Sequence, residues 1–272
     1  MRNKTEPSPF LDVALQAAKA GGKVLRKFFA TDMRIDFKGE VNLVTEADRA
    51  AEAVIVRTIR RRFPDHRFLA EEGGEHATPE SIGSDHKWIV DPLDGTTNFA
   101  HSFPMFCVSI GLETRGEVVL GLVYDPLHEE MFLAEKGKGA TLNGRRIHVS
   151  KTEKLNASLL VTGFAYDVRQ DLLNNLDHFS NFSLRVQGVR RTGSAALDLC
   201  YVACGRFDGF WEMKLSPWDT AAGSLIATEA GATVTDFGNR PYQIYLKEIL
   251  ASNGKIHREM VEVLESAKRS GR

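Results

Sequence analysis

The run Trp88-Ile89-Val90-Asp91-Pro92-Leu93-Asp94-Gly95-Thr96-Thr97-Asn98-Phe99 constrains this chain more than any other stretch. An apolar strand, Trp88 to Val90, ends in two aspartates held three residues apart by a proline. A glycine and two hydroxyl residues follow, where a helix can begin. Two carboxylates at a strand end suit a hard cation such as Mg²⁺, which takes oxygen ligands in near-octahedral geometry. The Gly95-Thr96-Thr97 helix start offers backbone N–H groups and a positive dipole end to an anion. Metal ligands beside an anion cradle describe a phosphate-handling site. Taken alone, D-P-x-D-G is also a tight turn with Asp94 as a helix cap.

The rest of the chain is that of an ordinary globular protein. Its 272 residues can bury a substantial core, with 43% hydrophobic and 26% charged residues. Net charge is −1 with both signs scattered, so there is no nucleic-acid footprint and no polybasic membrane anchor. No segment reaches the roughly 18 apolar residues of a membrane span, and no signal-peptide pattern opens the chain. Cys107, Cys200 and Cys204 form no disulfide framework and read as reduced thiols, which points to the cytoplasm.

Periodicity predicts a helix over Phe10–Phe29, weakened in its middle by Gly21-Gly22, and a second from Thr45 to Phe63, closed by Pro64. A short strand is expected over Arg34–Lys38. Further strands are expected at Phe68–Glu71, Trp88–Asp91, Phe106–Glu113, Val118–Tyr124 and Met131–Ala134, read as antiparallel hairpins. The second half alternates. Strands at Ser158–Thr162, Arg185–Gln187, Phe207–Trp211, Thr233–Asp236 and Leu250–Ser252 are separated by helices near Val168–Ser180, Ser194–Ala203, Pro217–Ala230 and Lys255–Ala267. The pattern suggests an α+β protein of stacked layers. It reads as a single domain over residues 8–268, with an antiparallel half over 8–150 and an alternating half over 151–268.

Three further regions carry candidate chemistry. Glu71-Glu72 closes an apolar strand and precedes Gly73-Gly74; it fits a metal-ligating exit or a solvated acidic loop. Pro217-Trp218-Asp219-Thr220-Ala221-Ala222-Gly223 opens a helix, with Pro217 at its start and Asp219 facing the dipole. Thr45 and Asp48 occupy N-cap and N3 of the second helix, a capping-box arrangement that needs no catalytic role.

Together these strings resemble the inositol monophosphatase family, within the lithium-sensitive, Mg²⁺-dependent phosphatases. The twelve-residue run matches one family signature, and W-D-x-A-x-G with Thr228-Glu229-Ala230-Gly231 matches the second. The resemblance implies a layered α/β/α/β/α sandwich and two or three Mg²⁺ ions. It places Glu71, Asp91 and the Leu93 carbonyl on the first metal, with Asp91 bridging to a second held by Asp94 and Asp219. It implies that Asp48 and Thr96 orient and deprotonate the attacking water, with no phosphoenzyme. Backbone N–H groups of Gly95 and Thr96 would hold phosphate oxygens. Ser194, Ala195 and Glu212 match positions that contact inositol hydroxyls. Lys38 matches a basic loop residue, and Glu72 an acidic neighbour of the first ligand.

The reading that results is hydrolysis of a sugar-type phosphate monoester, foremost inositol 1-phosphate, by a cytoplasmic homodimer. Fructose bisphosphatase and nucleotide 3′-phosphatase activities stay open, although the short spacing from Glu71 to Asp91 disfavours the nucleotide branch. From another class, bacterial relatives act as binding partners of the transcription machinery.

Overall fold

The structure is a computed structural model and describes residues 8–29, 35–37 and 43–270. The first helix, α1 (Pro9–Phe28), is followed by a two-stranded ribbon, β1 (Ile35–Phe37) and β2 (Leu43–Thr45), and by α2 (Glu46–Arg62). Strands β3 (Arg67–Ala70), β4 (Gly74–His76) and β5 (His86–Asp94) lead to a short helix, α3 (Thr96–Ala100). A meander follows: β6 (Cys107–Thr114), β7 (Glu117–Asp125), β8 (Glu130–Glu135), β9 (Gly139–Leu142) and β10 (Arg145–Arg146). Then come β11 (Leu159–Thr162), α4 (Leu176–Ser183), β12 (Gly188–Arg190), α5 (Ala195–Ala203) and β13 (Gly209–Met213). The chain closes with α6 (Pro217–Glu229), β14 (Thr233–Thr235), β15 (Glu248–Ser252) and α7 (His257–Ser270).

The larger sheet has eight strands in the order β10-β9-β8-β7-β6-β5-β3-β4, and the smaller has five, β12-β11-β13-β15-β14. Alternation along the strands decides what each face buries. On β5, Trp88 and Val90 face a core shared with Ala14, Ala18 and Leu25 of α1 and Ile55 and Ile59 of α2. Ile89 turns the other way, onto Ala221 of α6. Cys107, Val123 and Phe132 of the same sheet pack on Ala196 and Cys200 of α5 and on Ile226 of α6. The far side of α5, with Leu199 and Val202, meets Val161, Phe210 and Ala251 of the smaller sheet. That sheet's outer face, with Leu160 and Trp211, is covered by Phe182 of α4 and Met260 and Leu264 of α7. Five layers result, helix pair on sheet on helix pair on sheet on helix pair, the α/β/α/β/α sandwich that the resemblance implied.

Several expectations need correction. Gly21 and Gly22 do not interrupt α1, which runs unbroken through both. The N-terminal half is not wholly antiparallel, because β3 pairs parallel to β5. The expected helix over Val168–Ser180 starts only at Leu176. Before it, the Asp171 side chain accepts from the Leu173 N–H, and Lys214 pairs with both Asp167 and Asp171, holding this segment as a loop. The strand expected at Arg185–Gln187 falls instead at Gly188–Arg190, since Arg185 and Val186 still bond back to the Phe182 carbonyl. β13 is displaced to Gly209–Met213, so Glu212 lies within that strand and does not follow it. Of the strand expected over Arg34–Lys38, Ile35–Phe37 is present; Arg34 and Lys38 lie outside the described residues.

Candidate active site

Strand β5 was expected to end at Asp91, but it continues to Asp94 through a bulge. Asp91 pairs with Ser109 and Asp94 with Cys107, so β5 advances three residues while β6 advances two. Pro92 cannot donate to the ladder, and the extra residue relieves the mismatch while re-aiming both carboxylates. The Leu93 N–H donates to Asp91 Oδ1 at 2.9 Å, which fixes the turn between the two acids. Gly95 then takes φ 101° as the N-cap of α3. A β-carbon there would stand 2.8 Å from the Met105 carbonyl, so only glycine serves.

The parallel pairing of β3 with β5 brings the next acid in. Ala70 lies opposite Val90, and the Glu71 N–H donates to the Val90 carbonyl at 3.1 Å, so Glu71 leaves the sheet beside Asp91. Asp219 arrives on the first turn of α6, where its Oδ2 accepts the Ser216 N–H at 2.7 Å. Glu71, Asp91, Leu93, Asp94 and Asp219 line one cavity. Gly95 and Thr96 line it beside them; Ser194, Ala195 and Glu212 reach it from the other half of the chain. The N-termini of α5 and α6 both open on this acidic space, where their dipoles offset part of its negative charge.

Burial dominates the electrostatics. It pushes Asp91 and Asp219 well above the usual carboxylate range, and the charges of the neighbouring acids add to the effect. Asp94 is raised by the same burial, against which bonds from Ser194, Ala196 and Ala195 pull it down. Glu212 is pushed up to about 8 by burial, then by the charges of Asp219 and Asp94. Its carboxylate lies over Gly163, where any β-carbon would collide with it.

Asp48 does not line the cavity; it sits fully buried behind Thr96. The Thr96 hydroxyl has two acceptors within reach, Asp48 Oδ1 at 3.1 Å and the Leu93 carbonyl at 3.0 Å. Asp48 Oδ2 is occupied by the Thr45 N–H at 2.8 Å, and burial raises the acid. Glu72 also stays off the cavity, its N–H bonded to Glu52 at 2.9 Å. Lys38 lies outside the described residues.

The oxygens that Glu71, Asp91, Asp94 and Asp219 bring to the cavity are hard donors, which fits a divalent cation of the Mg²⁺ kind. Among the described residues, no three His, Cys, Asp or Glu side chains are already gathered into a finished metal cage. After burial, the charges of Glu71 and Asp94 raise both Asp91 and Asp219, so these acids stand close enough to act on one another across the cavity. Sequence reasoning missed Asp198, Arg191 and Tyr166, which also line the cavity. Asp198 had a signal, standing four residues after Ser194 on the same helix face. Tyr166 had none, because its place depends on the loop held by Lys214.

A five-layer sandwich with an acidic, oxygen-bearing cavity at helix N-termini is a setting in which a hard cation and an anionic group could be held side by side. The family model described as the inositol monophosphatase family matches residues 6–269. An inositol-1-monophosphatase of Synechocystis sp. is 48% identical over 256 residues, covering 94% of this chain and 88% of that protein. A solved inositol monophosphatase from Anabaena (Nostoc) sp. superposes with a TM-score of 0.85 at 47% identity, covering 94% of this chain and 95% of the other. The Nus factor SuhB of Escherichia coli is 41% identical over 255 residues, covering 93% of this chain and 94% of that protein. The chain belongs to the inositol monophosphatase family, a family of phosphatases. No helix among the described residues is long and apolar enough to cross a membrane.

Proposed function

We propose that this protein hydrolyses a sugar-type phosphate monoester, foremost inositol 1-phosphate, with Mg²⁺ as cofactor and water as the attacking group. The observation that carries the reading is the convergence of Glu71, Asp91, Asp94 and Asp219 with Gly95 and Thr96 on one cavity, faced by Glu212. Bound Mg²⁺ supplies electrophilic stabilisation of phosphate oxygens and lowers the pKa of water. Glu71, Asp91, Asp94, Asp219 and the Leu93 carbonyl are the residues that would hold it. The backbone N–H groups of Gly95 and Thr96 hold the phosphate. Thr96 Oγ1 accepts the proton of the attacking water and passes its own to Asp48, which lies on its far side. The backbone at Ser194 and Ala195, with the Glu212 carboxyl, forms the wall that meets the sugar.

The same reading includes a homodimer in the cytoplasm, as the family resemblance implies; the exposed leucines Leu172, Leu173, Leu176 and Leu184 on and beside α4 are apolar surface that a second copy could cover. The SuhB relatives support a second reading, a binding role in transcription alongside catalysis. Intact Asp48, Thr96 and all four cavity acids favour retained catalysis. The test is inorganic phosphate release from inositol 1-phosphate, fructose 1,6-bisphosphate and a nucleoside 3′-phosphate, with Mg²⁺ and with excess chelator. Fastest Mg²⁺-dependent turnover is expected on inositol 1-phosphate. Undiminished turnover in chelator, or none on any ester with Mg²⁺, would sink the proposal.

A further inference from the structure

Ser194 stands at the N-cap of α5, yet its side chain makes no capping bond to that helix. N-cap serines ordinarily spend the hydroxyl on their own helix. Here the hydroxyl leaves the helix and donates to Asp94 Oδ2 at 2.6 Å. The Ala196 N–H donates to the same oxygen at 2.8 Å, and the Cys107 thiol approaches it at 3.8 Å. Cys107 Sγ also lies 3.7 Å from Ser194 Oγ, backing the hydroxyl. Ser194 is 1% exposed and Asp94 9%, so water competes little for these bonds. One oxygen of Asp94 is thereby held by a group of donors in a shielded place.

We infer that Ser194 is a positioning residue for Asp94: its hydroxyl holds one carboxylate oxygen so that the other is presented to a divalent cation. This differs from a contact with sugar hydroxyls, the role that the family resemblance gives to this position. It rests on the reading of Asp94 as a metal ligand. The arrangement also ties the two halves of the chain together at the site, since Asp94 ends β5 and Ser194 begins α5. Supporting partners of metal-ligating side chains typically matter ten- to a hundredfold in metal affinity.

The test is calorimetric titration of Mg²⁺ into substrate-free protein, comparing wild type with Ser194→Ala and Ser194→Thr, together with KM for inositol 1-phosphate. Ser194→Ala is expected to weaken Mg²⁺ binding about ten- to a hundredfold, with KM at saturating Mg²⁺ changed by less than about threefold. Ser194→Thr keeps the hydroxyl and is expected to retain affinity near that of wild type. If Ser194→Ala does not fold, Ser194→Cys keeps the size with a weaker donor and carries the same comparison. Unchanged Mg²⁺ affinity with a raised KM would overturn the inference in favour of a sugar contact. Equal losses in the alanine and threonine variants would overturn it in favour of plain packing. Wild-type protein that binds no Mg²⁺ would instead remove the metal reading of Asp94 and this inference with it.

Discussion

The helices α2 and α6 begin with the same device, and their aspartates serve different ends. Each has a hydroxyl residue at the N-cap and an aspartate three residues on: Thr45 with Asp48, Ser216 with Asp219. In both, Oδ2 of the aspartate accepts the N-cap N–H, at 2.8 Å in α2 and 2.7 Å in α6. Both acids are raised by burial, and both keep a second oxygen. In Asp48 that oxygen meets the Thr96 hydroxyl, whereas Asp219 lines the cavity among other carboxylates. A capping box uses half a carboxylate and fixes its orientation. What the other half does depends on what the tertiary fold sets before it.

The strongest way to break this comparison is to neutralise each acid without changing its shape. Asp219→Asn is expected to lower kcat at least about a hundredfold and to weaken Mg²⁺ binding measured by calorimetry. Asp48→Asn is expected to lower kcat by a similar factor through loss of the proton acceptor, with Mg²⁺ affinity intact. If both variants lost Mg²⁺ affinity alike, the two boxes would share one role.

Melting curves sharpen the contrast with a smaller effect. Glu212, at about 8 against an ordinary 4.5, keeps a proton in the folded chain that the unfolded chain releases. More protons bound in the native state mean that stability falls as pH rises through that window. The raised Asp91, Asp94 and Asp219 act with the same sign. Metal-free protein should therefore melt lower as pH climbs from 6.5 to 8, and saturating Mg²⁺ at the upper end should return about 5 °C. Asp219→Asn should flatten the slope and blunt the Mg²⁺ response, while Asp48→Asn should leave that response in place. A metal-free melt that rises steadily over this range would contradict the burial argument. His66, depressed to about 4 by burial and accepting the Trp88 indole N–H at 2.9 Å, has the opposite sign. It contributes a loss of stability as pH falls from 6.5 towards 4, which bounds the optimum from below.

The smallest effect concerns the caps. Thr45 Oγ1 also accepts the N–H groups of Ala47 and Asp48, at 3.1 and 3.4 Å, whereas α6 has no cap bond to the Ser216 side chain beyond the box itself. Thr45→Ala should cost about 1 kcal/mol in denaturant unfolding and Ser216→Ala only a few tenths. Equal costs would mean that the two boxes are energetically alike.

Local chemistry made much of the site legible. Asp91 and Asp94 can be read as a pair because a proline and a glycine fix their spacing within one strand end. Asp48 can be read from its Thr45 cap and Asp219 from the helix-start Pro217 before it, while the Ser216 box around Asp219 emerged only in the structure. The five-layer order was implied by resemblance more than by periodicity, and the loop before α4 was misread as helix. Apolar spacing there, at Val168, Leu172 and Leu176, mimics a helix, but Leu172 and Leu176 are exposed and none of the described residues buries them. The ion pairs of Lys214 with Asp167 and Asp171 hold the loop, and they connect residues more than forty positions apart.

By itself the sequence determined the side chains at each strand and helix end, since caps, bulge-forming proline and strand alternation act within a few residues. Tertiary structure alone decided their company. Glu71 stands beside Asp91 because β3 runs parallel to β5, and no pattern in either strand specifies that direction. Asp94 meets Ser194 across 100 residues, and Asp48 meets Thr96 across 48. Such contacts form only once the apolar faces of both sheets have closed on the helices between them. Burial then leaves each remaining oxygen with whatever partner the packing has brought within reach.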